Sequence, residues 1–291
     1  MAERVDEGPS GSILHETWGF WAHLFLTVLR RLDPQIDEYD DKLAAFCKNR
    51  LALTEKKRIV DVGCGAGDVA RRLTKMGHDV VAIDISQELI DYCKSHQQLS
   101  SASARYQQGD GCALKEPSHG ALEFLVKDMR KPFAHEEFDG AICLGVTFGY
   151  FSEEENLATL KAMADALKVG GTLLIESDNP LDLLPGWVDE TVKMPGVGKL
   201  VMRRRFNCQK SAYEGLFHLE RENGEKVMLQ REKEALWDES IRIYKSEELA
   251  EMAAAVGLAV NNFWGSATLP LQPYGPKSSR LVLEATKVSS L

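Results

Sequence analysis

The segment Arg58-Ile59-Val60-Asp61-Val62-Gly63-Cys64-Gly65-Ala66-Gly67 is the most informative part of this sequence for the fold. It begins with a short, largely apolar run that is typical of a buried strand, and the glycines that follow predict a tight turn into a helix. That helix is predicted at residues 68–76. A second strand is predicted at 79–84, and it ends in the carboxylate of Asp84. Together they predict one unit of a parallel sheet.

Further strands alternate with helices along the rest of the chain. Helices are predicted at 87–95, after Ser152 and after Ser246, and strands at 122–126, 138–144, 172–176, 258–264 and 280–286. Ser152 and Glu155 form an S-x-x-E capping box, and Gly170-Gly171 is predicted to end the helix that this box opens. This alternation predicts an α/β fold whose parallel sheet is covered on both faces.

Two segments depart from this alternation. Residues 97–120 are rich in Ser, Gln and Gly, show no period, and are longer than most connections. Residues 197–206, 213–220 and 226–234 instead alternate apolar and polar side chains, and Asn223-Gly224 is a hairpin signal. We therefore expect an antiparallel β insert of about three strands.

Length and charge narrow the function classes. The chain has 291 residues, a length that allows one domain with an insert or two small domains. Its net charge of −9 disfavours binding to nucleic acid or to an anionic membrane. The six cysteines form no C-x-x-C motif, and the histidines show no H-x-x-x-H spacing, so we expect no metal site. Scattered thiols, no signal peptide and no apolar run long enough to span a bilayer predict a cytoplasmic protein.

The glycine turn points away from dinucleotides. A G-x-G-x-x-G fingerprint that begins at Gly63 would need a third glycine where Asp68 stands, and a carboxylate there would repel a pyrophosphate. A P-loop is excluded because no G-K-[ST] follows. Asp84 is expected beside the turn because the first two strands of such a sheet are neighbours, and it could accept hydrogen bonds from ribose hydroxyls. The alternative is that Asp84 only caps the next helix near Ser86.

At this point the sequence resembles the class I S-adenosylmethionine-dependent methyltransferases, and most closely the bacterial small-molecule type with an antiparallel insert after the fifth strand. The resemblance runs from about Trp18 to Lys287. Its best-matching segments are 60–68, 81–86, 126–133, 137–139, 145–151, 167–171 and 242–249. The resemblance implies a Rossmann-like α/β fold with a seven-stranded, mostly parallel sheet whose last strand is antiparallel.

The resemblance also implies a cofactor site for S-adenosyl-L-methionine, with S-adenosyl-L-homocysteine as product. The cofactor-binding residues would be Asp61, Gly63, Gly65, Gly67, Asp84, Ile85, Asp128, Met129, Leu144 and Gly145. Asp61 would orient the ammonium group through water, Asp84 would bind the ribose, and Ile85 would pack on the adenine. Asp128 and the Met129 N–H would bind the adenine edge, with Asp110 as the competing acid. Backbone carbonyls near Leu144 and Gly145 would take the ammonium.

The acceptor side of the site is less specified by the motifs. Aromatic side chains expected to line it are Trp18, Trp21, Phe148, Tyr150, Trp187, Trp237 and Tyr244, and core packing is the alternative for each. Methyl transfer from a sulfonium mainly needs alignment and exclusion of water. If the acceptor must lose a proton, the candidate catalytic residues are Tyr150, Glu176 and His23.

The predicted organisation has three parts. Residues 1–53 form an N-terminal helical lid, in which the helix at 18–32 folds over the cofactor. Residues 54–185 and 241–291 form the methyltransferase domain, and 186–240 form the antiparallel β insert over the acceptor site. In the insert, Arg203-Arg204-Arg205 is interpreted as a solvated face balanced by Glu220, Glu222 and Glu232, the alternative being an anion site.

The leading hypothesis is methyl transfer to a small-molecule acceptor at N, O, S or C by in-line displacement. The alternative is a noncatalytic S-adenosylmethionine-binding sensor or regulatory subunit. Neither nucleic acid nor membrane is an expected partner, and the motifs leave monomer and homodimer open.

Overall fold

A computed structural model describes residues 13–15, 36–105, 119–183, 186–194, 196, 198–229 and 239–288. The chain divides into two compact units. The larger unit comprises residues 34–183 and 241–291, and the smaller comprises 1–33 and 184–240.

The larger unit is built on a seven-stranded sheet. In chain order its strands are β2 (Arg58–Val62), β3 (Asp79–Asp84), β4 (Leu122–Val126), β5 (Phe138–Cys143), β6 (Leu167–Asp178), β12 (Leu258–Trp264) and β13 (Arg280–Lys287). They lie side by side in the order β12-β13-β6-β5-β2-β3-β4. All are parallel except β13, which runs antiparallel to both β12 and β6. The predicted Rossmann-like sheet with an antiparallel last strand is confirmed.

Helices cover both faces of this sheet. They are α1 (Ile36–Arg50), α2 (Asp68–Lys75), α3 (Gln87–Arg105), α4 (Glu153–Ala166) and α5 (Ser246–Ala255). Successive strand residues point to opposite faces, so Ile59 packs in one apolar cluster with α1, α2 and α3, while Val60 packs in a second cluster with α4 and α5. The run of apolar residues in β2 is thus explained by burial on both sides.

Three predicted boundaries in this unit need correction. Helix α3 continues to Arg105, into the segment expected to be irregular, while residues 106–118 lie outside the described part of the chain. Helix α4 has the predicted capping box at Ser152 but ends at Ala166, not at Gly170-Gly171, because Leu167 is extended and already pairs with Phe138. Helix α5 is capped at Lys245, one residue before the predicted Ser246.

The smaller unit contains the predicted antiparallel sheet. Its strands are β1 (Ile13–His15), β7 (Gly186–Met194), β8 (Gly198–Asn207), β9 (Ala212–Arg221), β10 (Lys226–Leu229) and β11 (Glu239–Arg242), the last of which extends into the larger unit. They lie in the order β1-β10-β9-β8-β7, and β11 also pairs with β9. The tight turn at Asn223-Gly224 is present, with Gly224 at φ 83°. Strands β1, β7 and β11 were not predicted.

The N-terminal prediction is only partly covered by the described residues. Residues 13–15 form a strand that pairs in parallel with β10, where only a frayed or helical segment was expected. The predicted helix at 18–32 lies outside the described residues. Within the described helices, none combines the length and the apolar character that crossing a bilayer requires.

Candidate functional site

The turn after β2 has all three of its glycines at positive φ. Gly63, Gly65 and Gly67 have φ values of 70°, 54° and 74°, which side-chain-bearing residues rarely adopt. A Cβ on Gly63 would lie 2.2 Å from Thr147 Cγ2, and one on Gly67 would lie 2.5 Å from the Phe124 ring. These two glycines are therefore required for close packing of the turn against its own protein.

Gly65 differs from its two neighbours because a Cβ there would meet nothing within 4 Å. The same holds for Gly145, which follows β5 at φ 69°. Strands β2 and β5 are parallel neighbours, so both glycines lie at the carboxyl edge of the sheet, where open α/β sheets bind ligands. The backbone at Gly65 and Gly145 leaves room that a ligand could fill.

Asp84 stands beside the turn, as predicted. Its Oδ2 accepts a hydrogen bond of 3.0 Å from the Gly65 N–H, and its Oδ1 accepts one of 2.9 Å from the Ser86 N–H. Burial raises the pKa of this carboxyl above its ordinary value. The helix-cap alternative fits Ser86 better, because its hydroxyl accepts the Leu89 N–H at the start of α3.

Asp61 is a carboxylate with little exposure to water. Its side chain is buried in β2, and burial, followed by the nearby charges of Asp84 and Asp68, raises its pKa to about 7. No cationic side chain is among the groups that set this value. A buried carboxyl without a cation holds its proton, and a positively charged ligand would favour the ionised form.

Asp128 follows β4 and is neutralised by its own neighbour. Arg130 donates to both carboxylate oxygens, at 3.0 Å to Oδ1 and 2.9 Å to Oδ2, and reaches Glu155 Oε1 at 2.6 Å. These hydrogen bonds lower the pKa of Asp128. Arg130 was not predicted, although an arginine two residues after a candidate acid is a usable signal for such a pair. The competing Asp110 lies outside the described residues.

The end of β5 is tied to the neighbouring strand through Glu176. The Gly145 N–H donates to Glu176 Oε2 at 2.8 Å, and the Thr147 hydroxyl donates to the Leu144 carbonyl at 2.7 Å. Glu176 itself is fully buried. Its Oε1 accepts from the Tyr39 hydroxyl at 3.2 Å and lies 3.5 Å from Arg280 Nε.

Comparison with known proteins finds similarity over the part of the chain that forms much of this sheet and its carboxyl edge. Residues 60–175 match the family described as "Methyltransferase domain". That part of the chain is similar to a methyltransferase domain. The matched range includes the glycine turn, Asp84, Asp128 and Gly145, and the predicted resemblance to S-adenosylmethionine-dependent methyltransferases is confirmed at the level of this domain.

Individual relatives are similar over different lengths. The ubiquinone biosynthesis O-methyltransferase of Xanthomonas campestris pv. campestris (strain B100) is 28% identical over 124 residues, which are 42% of this chain and 43% of that protein. The match to this chain thus spans about half or less of the length of these curated relatives.

Solved structures resemble nearly the whole chain in fold. The CcbJ methyltransferase from Streptomyces caelestis has a TM-score of 0.70 at 16% identity, over 94% of this chain and 99% of that one. CalS10 from Micromonospora echinaspora, described as an amino pentose methyltransferase with bound S-adenosylmethionine, has a TM-score of 0.59 at 19% identity, over 91% and 96%.

Two of the predicted acceptor-lining residues pack in the core of the larger unit. Phe148 is 1% exposed and Tyr244 2% exposed, and their ring centroids lie 5.6 Å apart. The Tyr244 hydroxyl donates to Glu153 Oε2 at 2.8 Å and accepts from Asn156 at 3.0 Å. Both side chains are thus enclosed by protein, which matches the core-packing alternative, and their contact with an acceptor stays a prediction.

The other predicted acceptor and catalytic residues are placed as follows. Tyr150 lies half-buried in the loop after β5, and Ile85 and Met129 are half-buried near the ends of β3 and β4. Trp187 lies on β7 of the smaller unit. Trp18, Trp21, His23 and Trp237 lie outside the described residues. The described part of the chain brings no three His, Cys, Asp or Glu side chains together as a metal site.

The arginine run on β8 forms ion pairs, but not with the expected acids. Arg203, Arg204 and Arg205 pair with Asp189, Glu190 and Glu214, respectively. The predicted partners are engaged elsewhere: Glu220 pairs with Lys199 and Lys226, Glu222 accepts the Gly196 N–H, and Glu232 lies outside the described residues. Arg203 and Arg205 share one face, each 4.8 Å from the centroid of the Trp187 ring.

Proposed function

We propose that this chain transfers a methyl group from S-adenosylmethionine to a small-molecule acceptor. The observation that carries the proposal is the pair of open backbone positions, Gly65 and Gly145, at the carboxyl edge of two parallel neighbours, with Asp84 hydrogen-bonded to the first of them. A ligand can approach the backbone there, and the Asp84 carboxylate can accept hydrogen bonds from the hydroxyl groups of that ligand.

The residues at this edge suit the separate parts of the cofactor. Asp84 would accept from the ribose hydroxyls, and Ile85 would pack on the adenine. Asp128 and the Met129 N–H would bind the adenine edge, while Asp61 and the Leu144 carbonyl would attract the ammonium group. When bound, the cofactor supplies a methyl group on a positively charged sulfur.

The protein's part in the reaction is to bind, orient and exclude water. Positive charge on the sulfur is lost as the methyl group moves to the acceptor, so alignment of the nucleophile contributes more than proton transfer. Tyr150, in the loop after β5, is the described residue we propose for contact with the acceptor. His23 lies outside the described residues and stays a prediction.

A small acceptor is supported by the chain's acidity and by its relatives. A net charge of −9 disfavours nucleic acid as the acceptor, and the curated relative is named for O-methylation in ubiquinone biosynthesis. We propose that residues 186–240 cover the acceptor, that 1–53 act as a lid, and that the protein works in the cytoplasm.

Calorimetric titration with S-adenosylmethionine and NAD tests the cofactor assignment. We expect binding of the former only, and Asp84→Ala should weaken it about 100-fold because charge-assisted hydrogen bonds are lost. Asp79→Ala is the matched control, since Asp79 is the same residue type at the opposite end of β3, and its affinity should stay within about twofold of wild type. Binding of NAD alone would overturn the assignment.

Transfer to an acceptor is tested separately, with methyl-labelled cofactor and fractionated metabolite pools. An enzyme should yield a labelled small molecule, and Asp84→Ala should abolish the label. Cofactor binding without any labelled product would favour the sensor alternative.

A further inference from the structure

Glu176 is a carboxylate in the interior of the larger unit. It lies on β6, where it pairs in register with Val282 of β13, and its side chain has no exposure to water. Three groups surround it: the Gly145 N–H, the Tyr39 hydroxyl and the Arg280 guanidinium. Both carboxylate oxygens therefore already accept hydrogen bonds from the protein.

The contact with Gly145 fixes the orientation of a peptide group. A trans peptide is planar, so its N–H and C=O point in opposite directions. Because the Gly145 N–H points at Glu176 Oε2, the carbonyl of Leu144 points away from Glu176, and there it accepts the Thr147 hydroxyl at 2.7 Å. Thr147 is also the residue against which Gly63 of the glycine turn packs. Glu176 thus turns the Leu144 carbonyl toward the side of the glycine turn.

The backbone at this point does not adopt such a conformation readily. Gly145 has φ 69°, and Val146, which is β-branched, follows at φ 60°. A β-branched residue in the left-handed region is strained and is kept there only when surrounding contacts determine it. The hydrogen bonds from Gly145 to Glu176 and from Thr147 to Leu144 are the contacts that span this turn.

We propose that Glu176 is a positioning residue for the amino-acid end of the cofactor and not a general base. It holds the Leu144–Gly145 peptide so that the Leu144 carbonyl can accept the ammonium group, and Tyr39 on α1 and Arg280 on β13 hold Glu176. This inference rests on the proposed function, because it assigns one part of the same site.

Binding of two ligands distinguishes this positioning role from a general effect of Glu176 on the stability of the fold. S-adenosylhomocysteine carries the amino-acid group, whereas 5′-methylthioadenosine has the same nucleoside and sulfur without it. Glu176→Ala should weaken binding of S-adenosylhomocysteine about tenfold or more and change binding of methylthioadenosine less than about twofold. Glu176→Gln keeps an oxygen that can accept the Gly145 N–H, so it should restore most of the lost affinity.

A matched control exists on the adjacent strand. Glu284 is also a buried glutamate, 4% exposed, and pairs with one arginine, Arg50, while it accepts the Trp264 N–H. Neither Arg50 nor Trp264 belongs to the turn after β5. Glu284→Ala should destabilise the fold as Glu176→Ala does, yet leave the ratio of the two affinities unchanged.

If Glu176→Ala does not fold, Tyr39→Phe provides a second test of the positioning role. Tyr39 is 38% exposed, so removal of its hydroxyl should be tolerated, and it should weaken S-adenosylhomocysteine about twofold to threefold without affecting methylthioadenosine.

Each outcome of these titrations bears on the inference. A selective loss of S-adenosylhomocysteine affinity in the Glu176 and Tyr39 variants supports it. An equal loss for both ligands, or no loss for either, overturns the positioning role while leaving the proposed function standing. Failure of the wild-type protein to bind either ligand overturns the proposed function, and the inference with it.

Discussion

Asp61 and Asp128 are two carboxylates near the carboxyl ends of β2 and β4, and their surroundings differ sharply. Asp61 is buried, and its pKa is raised to about 7 by burial and by neighbouring acids. Asp128 is held by Arg130, and those hydrogen bonds lower its pKa. At neutral pH one group is close to half protonated, whereas the other is fully ionised and already neutralised.

The difference matches the two ends of the proposed cofactor. The ammonium end is a cation, and a carboxyl that lacks a cation gains the most from it. The adenine end is neutral, and a carboxylate already paired with an arginine can still accept one N–H bond without carrying an uncompensated charge. The following predictions test this contrast, from the largest expected effect to the smallest.

Removal of the Asp61 charge should stabilise the ligand-free protein. The pKa of Asp61 is raised from 3.8 in the unfolded chain to about 7 in the folded protein. The free energy of unfolding therefore falls as the pH rises from about 3.8 to about 7, and the whole loss is present above pH 7. Asp61→Asn removes this cost, so at pH 8 we expect unfolding to require about 1–3 kcal/mol more. Thermal unfolding measures this as a higher Tm. A lower Tm at pH 8 would contradict the burial argument.

The same substitution should weaken the cofactor. Asp61→Asn should bind S-adenosylhomocysteine about tenfold less tightly than wild type does. The substitution removes the carboxylate charge, and with it the attraction to the ammonium group across a bridging water. Methylthioadenosine, which lacks the ammonium, should bind as it does to wild type. Calorimetry with both ligands makes the comparison, and equal losses would place Asp61 away from the ammonium.

Affinity should depend on pH through Asp61. Below its pKa of about 7 the group is protonated in the free protein, so the affinity for S-adenosylhomocysteine should fall by about threefold from pH 7 to pH 6. Asp61→Asn should show no such fall, and Asp128→Asn should keep it. A wild-type profile that is flat over this range would remove Asp61 from the binding equilibrium.

Asp128→Asn should have the smallest effect. The amide oxygen can still accept an N–H, and Arg130 keeps Glu155 as a partner, so both ligands should lose only about twofold in affinity. Here the losses should be equal for S-adenosylhomocysteine and methylthioadenosine, since both carry adenine. A selective effect on one ligand would reverse the assignment of the two acids.

Local features of the sequence predicted the main sheet and the placement of Asp84. The glycine turn, the strand that ends in Asp84 and the capping box at Ser152 are set by residues within a few positions of one another, so pattern and spacing suffice. The end of α4 was misplaced because Gly170-Gly171 is a strong helix stop, whereas the extended conformation of Leu167 depends on its pairing with Phe138 of another strand.

The parts that escaped prediction depend on long-range contacts. Glu176, the last residue of the predicted strand 172–176, was a candidate base, but the positioning role proposed for it follows from contacts with Gly145, after β5, and with Tyr39 on α1. Phe148 and Tyr244 lie far apart in sequence, and only the fold shows that they pack together. The arginine partners on β7 were missed because that strand itself was not predicted.

Strand β1 gives the smaller unit a further property. Ile13 pairs with Val227, so the described order of that sheet ends in a strand drawn from the far end of the chain. During synthesis this pairing must wait until β10 has been made, and closing so long a loop is slow. A protein shortened to begin at Pro34 would leave β10 as an open edge, with unpaired backbone groups that invite association with other chains.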